Sequence, residues 1–189
     1  MNNITVSATI CSIAASKRVL YVKIHRKSKT MLQVLLPEEL DSSNFISGQR
    51  VVIAGRLASK DIYYPNPCDC ETFSEAIETY LLADTVHVRE DQWINTVEVS
   101  GTLTQEPKLI QTPTVSFLSA RIQLDDGNGF LTVTKTVTES GKESFPAQGT
   151  SFTIKGTLHT KDYNKKLYCP LCQHTSVFPM MNAWVVADN

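Results

Sequence analysis

Hydrophobic and polar residues alternate along most of this chain with a period of two, the signature of half-buried strands. Ile4, Val6, Ala8 and Ile10 are spaced by polar residues and predict a first strand. Leu20, Val22 and Ile24 give a second an inward face, which leaves Tyr21, Lys23 and His25 outward. Leu32, Val34 and Leu36 make a third, ended by Pro37. Pro37-Glu38-Glu39-Leu40 predicts a short helix, because proline suits a first turn and carboxylates favour that end. A fourth strand follows from Gly48. Tyr63-Tyr64-Pro65-Asn66-Pro67-Cys68-Asp69-Cys70 predicts a loop. Thr72-Phe73-Ser74-Glu75 has capping-box spacing, with Ile77 four residues beyond Phe73, and predicts a second short helix. Tyr80 to Val88 is the fifth strand. The polar run Arg89-Glu90-Asp91-Gln92 then interrupts the pattern.

The order starts again beyond it. Ile94, Val97, Val99, Gly101 and Leu103 mark a strand. Leu118, Ala120, Ile122 and Leu124 mark the next, with Phe117 and Arg121 on its other face. Asp126-Gly127-Asn128-Gly129 predicts a hairpin turn into a strand from Phe130 to Val137. A polar connection, Ser140 to Gln148, leads to a strand from Gly149. A loop from Lys161 to Ser176 precedes the closing strand, Ala183 to Asp188.

The two halves share more than order. Gly48 to Asp61 returns 101 positions later as Gly149 to Asp162, with six of fourteen residues identical; about one match is expected from residue frequencies. Gly55 and Gly156 fall inside their strands, where glycine marks a bulge, a bend or close backbone approach. Small barrels need such bends to close. Each half therefore predicts a five-stranded barrel with a bent fourth strand. The fold class that follows is all-β, two tandem five-stranded OB-fold barrels related by internal duplication, over residues 1–90 and 91–189.

The pattern Gly-x-x-Val-x-Ile-x-Gly-x-Leu at Gly48–Leu57, partly repeated at Gly149–Leu158, resembles the fourth strand of bacterial and phage single-stranded DNA-binding proteins and the related primosomal replication proteins. The resemblance implies a binding protein that protects or presents single-stranded DNA in replication, recombination or DNA transfer. The chain closes on Val185-Val186-Ala187-Asp188-Asn189, without the glycine-rich linker and acidic-apolar tip of the bacterial type.

Composition adds limits. The formal charge is −1, so any polyanion site is a local patch and not a global field. No apolar run is long enough for a membrane span. Met1-Asn2-Asn3-Ile4 lacks a signal peptide's basic and apolar regions, and five cysteines then predict a reducing, cytoplasmic setting.

Single strands are held by stacking bases on aromatic rings while cations track the phosphates. In the first half the residues suited to this are Tyr21, Lys23, His25, Arg26, Lys27, Arg50, Arg56, Tyr63 and Tyr64, with Lys17, Arg18 and Lys29 in nearby turns. In the second they are Phe117, Arg121, Phe130, Lys135, Lys155, Lys161, Tyr163, Lys165, Lys166 and Tyr168. An ordinary solvated face with packed tyrosines accounts for any one of them. Cys169-Pro170-Leu171-Cys172 has the gap by which two thiolates grip zinc, and Cys68-Asp69-Cys70 occupies the same place in the first half. Together they predict a structural zinc site if the two segments meet. A local set of Cys169, Cys172 and His174, redox chemistry and free thiols are the alternatives. Cys11 is expected in the core. No catalytic motif is present, and the adjacent carboxylates Asp125 and Asp126 suit a capped turn better than acid–base work. The partner expected is single-stranded DNA, with RNA binding and a protein-interaction adaptor in a replication or conjugation complex as alternatives. A homodimer through edge strands is compatible with the pattern.

Overall fold

The computed structural model describes residues 1–24, 31–89, 93–137 and 144–188. Its strands are β1 (Asn2–Ile13), β2 (Val19–Lys23), β3 (Leu32–Leu35), β4 (Arg50–Pro65), β5 (Phe73–Val88), β6 (Asn95–Leu103), β7 (Lys108–Gln111), β8 (Ser116–Leu124), β9 (Phe130–Thr136), β10 (Ser151–Tyr168) and β11 (Thr175–Ala187). No α-helix occurs among the described residues.

The ladders close two rings. The first runs β1-β2-β3-β5-β4 and back to β1, with β3 and β5 parallel and the other pairs antiparallel. The second runs β6-β8-β9-β11-β10 and back to β6, with the same single parallel pair, β9 with β11. This is the five-stranded OB barrel, formed twice. Beyond the expected ten strands, β7 pairs with the outer edge of β8. The rings join where β1 and β6 run antiparallel, from Asn2↔Val99 to Val6↔Asn95, so all eleven strands form one sheet.

The alternation sends Val6, Ile10, Leu20, Val22, Ile53, Leu57 and Leu81 inside the first ring, and Val99, Ile122, Leu131, Val133, Leu158 and Val185 inside the second. Each such side chain contributes roughly 1.5–3 kcal/mol on burial. Cys11 is not in that core. It is half-buried at a register break between Ile10 and Ser12.

The interior glycines of β4 and β10 sit at close backbone approaches. A Cβ on Gly55 would collide with the carbonyl oxygen of Leu82, and one on Gly156 with that of Val186. The bulge expected at the glycine is present in β4, where the register shifts between Ala54 and Gly55.

A second device is matched between the rings. Asn2, 5% exposed, uses its side-chain amide as a strand would use its backbone. Nδ2 donates to the Leu57 carbonyl (2.7 Å), and the Leu57 amide donates to Oδ1 (3.0 Å). Asn95 does the same with Leu158 (2.8 and 2.9 Å). Asn2 also donates to Asp126 (2.8 Å), which ties β1 to the β8–β9 turn. Asn2→Ala strands both backbone groups of Leu57 and is expected to cost about 2–4 kcal/mol. Urea denaturation checks this; a loss below about 0.5 kcal/mol would mean that water replaces the amide.

Both predicted helices are corrections. Residues 37–40 form a turn, with the Leu40 amide on the Pro37 carbonyl (3.2 Å). The only helical turn described is a 3-10 turn at Ser42–Asn44, capped by Asp41, whose Oδ1 accepts from the Ser43 amide (2.9 Å). Thr72 to Glu75 is the entry to β5, with Phe73 opposite Pro65. Its Thr and Ser side chains cap no helix: the Thr72 hydroxyl accepts from Asn66 (2.8 Å) and the Ser74 hydroxyl donates to it (2.9 Å). The extended β4 offers open backbone groups along its length, and pairing with them outweighs one local turn. The two predicted long loops are corrected likewise. Tyr63 to Pro65 and Lys161 to Tyr168 are strand, so β4–β5 and β10–β11 project as two-stranded arms with short tips.

Candidate functional site

Two places collect the residues singled out by the sequence: a groove on the outer face of the second ring, and the meeting point of the arm tips.

The groove encloses about 710 Å³. Its floor is the outward face of β8, β9 and β11, including Phe117, Ser119, Thr132, Thr134 and Trp184. Strand parity explains the set. Val133 and Val185 point into the barrel, so Thr132, Thr134, Trp184 and Val186 point out, and the parallel ladder puts Trp184 beside Thr132 and Val186 beside Thr134. Lys161 and Tyr163 form one wall, at the root of the β10–β11 arm. Ile110, Thr112 and Val115 form the other, on the β7–β8 hairpin. Trp184 lies opposite His159 on β10, with ring centroids 5.8 Å apart. Among the described residues, no carboxylate lines this groove.

The remaining candidates divide. Tyr21 and Lys23 stand half-buried on the outward face of β2, where alternation puts them. His25, Arg26, Lys27 and Lys29 lie outside the described residues. Arg50 packs over Trp93, 5.7 Å from the ring centroid. Arg56 pairs with Asp84 (3.6 Å) and Lys155 with Glu98 (3.1 Å). Tyr63 is exposed on the first arm, but Tyr64 stacks on Phe178 of the other arm, at 6.2 Å. Desolvation there pushes the Tyr64 phenol up. Arg121 lies over Phe130 (4.3 Å), and both line a cleft shared with Ile77 and Thr79 of the first arm. Lys135 shares parity with Leu131 and Val133, so it emerges in a different cleft, beside Phe145 and Phe152. Lys165 donates to the Glu75 carbonyl on the first arm. Lys166 and Tyr168 are exposed further along the second arm. The sequence reading passed over Trp184 and the threonines. Their signal was the outward parity of β9 and β11, set by the buried valines between them.

Asp126 is held by a turn. Partial burial opposes its ionisation, but hydrogen bonds from Asn2 and Asn128 outweigh that and lower its pKa. Ser151 bonds Asp125 (3.3 Å).

At the arm tips, the sulfurs of Cys68, Cys70, Cys169 and Cys172 all lie within 4.8 Å of one another. The first two come from the β4–β5 arm and the others from the β10–β11 arm. His174 is not in this group: its carbonyl accepts from the Cys169 amide (2.9 Å). Hydrogen bonds from the Cys172 amide and the Thr72 hydroxyl draw the Cys169 thiol down to about 6. A hydrogen bond with Cys172, together with desolvation, pushes Cys70 up to about 12. Four sulfurs so arranged can hold a metal ion.

No protein-family model matches the chain, and no curated protein matches its sequence. Among solved structures it is similar to the wild-type single-stranded DNA-binding protein of Thermus aquaticus, with a TM-score of 0.60 at 17% identity, over 99% of this chain and 90% of that one. A deletion mutant of the same Thermus protein gives 0.59 at 17% identity, over 99% and 91%. The shared fold thus takes in both rings and the seam between them.

Proposed function

We propose that this chain binds single-stranded DNA, largely without sequence preference, and that the second ring carries the principal site. The observation that carries this reading is the groove. Phe117, Tyr163 and Trp184 offer rings for stacking, Lys161 offers a cation, and no acid among the described lining residues opposes a phosphate chain. It lies over the strand pair with which OB barrels bind oligonucleotides. Both solved structures compared above are of a protein named for the same ligand.

The first ring has the same face but screens it. Lys60 pairs with Glu78 (3.3 Å), which also accepts from Gln33 (3.0 Å), and Arg56 pairs with Asp84. By ladder position Lys60 corresponds to Lys161 and Glu78 to Asn182. An amide in place of that acid leaves the second face the better one for phosphate. In this reading the chain is two units, 1–90 and 91–189, derived from one. The matched asparagines, glycines and ring orders support that division, whose boundary falls beside residues 90–92, outside those described. The work is binding without a chemical step, in a reducing cytoplasm, where the protein protects or presents single strands during replication, recombination or transfer. The four cysteines serve structure.

The test is fluorescence anisotropy with labelled oligo-dT at low and moderate salt, with duplex DNA as the control. Tight binding to the single strand that falls steeply with salt is expected. No binding at low salt would favour the adaptor reading, for which exposed Leu109 and Ile110 on β7 supply an apolar edge.

A further inference from the structure

The two arms come from different rings, yet their tips end in one cluster of four thiols. A tetrahedral zinc with Zn–S bonds of about 2.3 Å requires sulfurs about 3.8 Å apart. The sulfurs already lie within 4.8 Å, so a small contraction completes the site.

The surrounding backbone is shaped for thiolates. The amides of Leu171 and Cys172 point at the Cys169 sulfur, and the Thr72 hydroxyl, from the other arm, lies 3.1 Å from it. The Gln173 amide returns to the Cys169 carbonyl (2.9 Å) and closes a tight knuckle. In each tip the residue after the second cysteine is left-handed: Glu71 at φ 50° and Gln173 at φ 60°. Neither is glycine, so both tips hold a strained turn that presents the pair of sulfurs. Four thiolates at tetrahedral spacing suit zinc or an iron–sulfur centre and disfavour hard cations.

We propose that Cys68, Cys70, Cys169 and Cys172 bind one zinc ion as a tetrathiolate that staples the two arm tips together across the pair of rings. Zinc binds the four sulfurs as thiolates, and the displaced thiol protons pass to solvent, so acid releases the metal. Below the staple the arms touch through Tyr64 and Phe178 and through Lys165 on the Glu75 carbonyl. The β10–β11 arm also carries Lys161 and Tyr163, the groove wall. Resting on the single-strand reading, the zinc therefore preorganises that wall, and its removal weakens DNA binding by making the wall's order a cost of association.

The whole chain, purified without chelator, is expected to contain one zinc per molecule by elemental analysis. Cobalt exchange should give the visible absorption of a tetrahedral tetrathiolate. Cys70→Ser and Cys172→Ser should each abolish it, whereas Cys11→Ser, outside the cluster, should keep it. Reversible chelation of the unaltered protein covers the case in which those variants fail to fold: amide exchange along both arms should rise, and oligo-dT affinity should drop about three- to tenfold. Metal-free protein with four freely reacting thiols, or iron in place of zinc, would overturn the site. Unchanged exchange and affinity after stripping would overturn the staple. Zinc present in a protein that binds no oligo-dT would support the site and sink the single-strand reading, so the two failures are distinguishable.

Discussion

Trp184→Ala combined with Tyr163→Ala is expected to weaken oligo-dT binding by about 2–4 kcal/mol, since each base stacked on an aromatic ring contributes about 1–3 kcal/mol. That is a loss of roughly thirty- to a thousandfold, readable by anisotropy. The two rings lie on different strands but face one groove, Trp184 on its floor and Tyr163 on its wall. Both point away from the barrel interior, so the double variant should melt close to the parent. Trp184→Phe keeps a stacking surface and should lose far less. Tyr64→Ala is the contrasting control: its ring is engaged with Phe178, so its loss should loosen the arms and leave the floor of the groove intact. Equal affinity for the parent and the double variant would place the strand elsewhere.

Gly156→Ala is expected to destabilise the fold by about 3 kcal/mol or more, through overpacking of backbone against backbone. The added methyl meets the Val186 carbonyl, which is part of a ladder and cannot swing aside as a side chain would. Gly55→Ala meets the Leu82 carbonyl in the same way. Gly48→Ala separates this effect from backbone strain. Gly48 has φ +87° and open space around its would-be Cβ, so only the left-handed conformation is penalised, by about 1 kcal/mol. Denaturant midpoints of the three variants test the argument, and equal losses at all three would show that steric collision is not what fixes the interior glycines.

Alternation carried most of the fold. Buried Val6, Leu20, Val34, Ile53 and Leu81, and their counterparts in the second half, lie where a period of two puts them, and the interior glycines marked the bent fourth strands. The arms were not legible because their faces are mixed. Beyond the rings, β4 and β5 carry Lys60, Asp61, Tyr63 and Glu75, without a sustained inward set, since each arm covers the other in place of enclosing a core. Capping-box spacing at Thr72 is a local signal worth about 1 kcal/mol, and the long antiparallel ladder overrides it. Strand β7 is missing from the pattern because all four of its residues are exposed. The groove was half legible. Phe117, Lys161 and Tyr163 follow from their chemistry, but Lys135 has the opposite parity, and Trp184 sits in the strand that closes the barrel with no motif to mark it. The meeting of the cysteines needed the structure, because nothing in the spacing of either pair says that one arm reaches the other.

The central claim is that a single strand lies across the floor of the second ring's groove, and the chain's own fluorescence tests it. It has two tryptophans, Trp93 near the seam and Trp184 in the groove. In Trp93→Phe, Trp184 is the sole reporter. Titration with oligo-dT should quench its emission and saturate at the concentration at which anisotropy reports binding. Binding seen by anisotropy while the Trp184 emission stays unchanged would contradict the account.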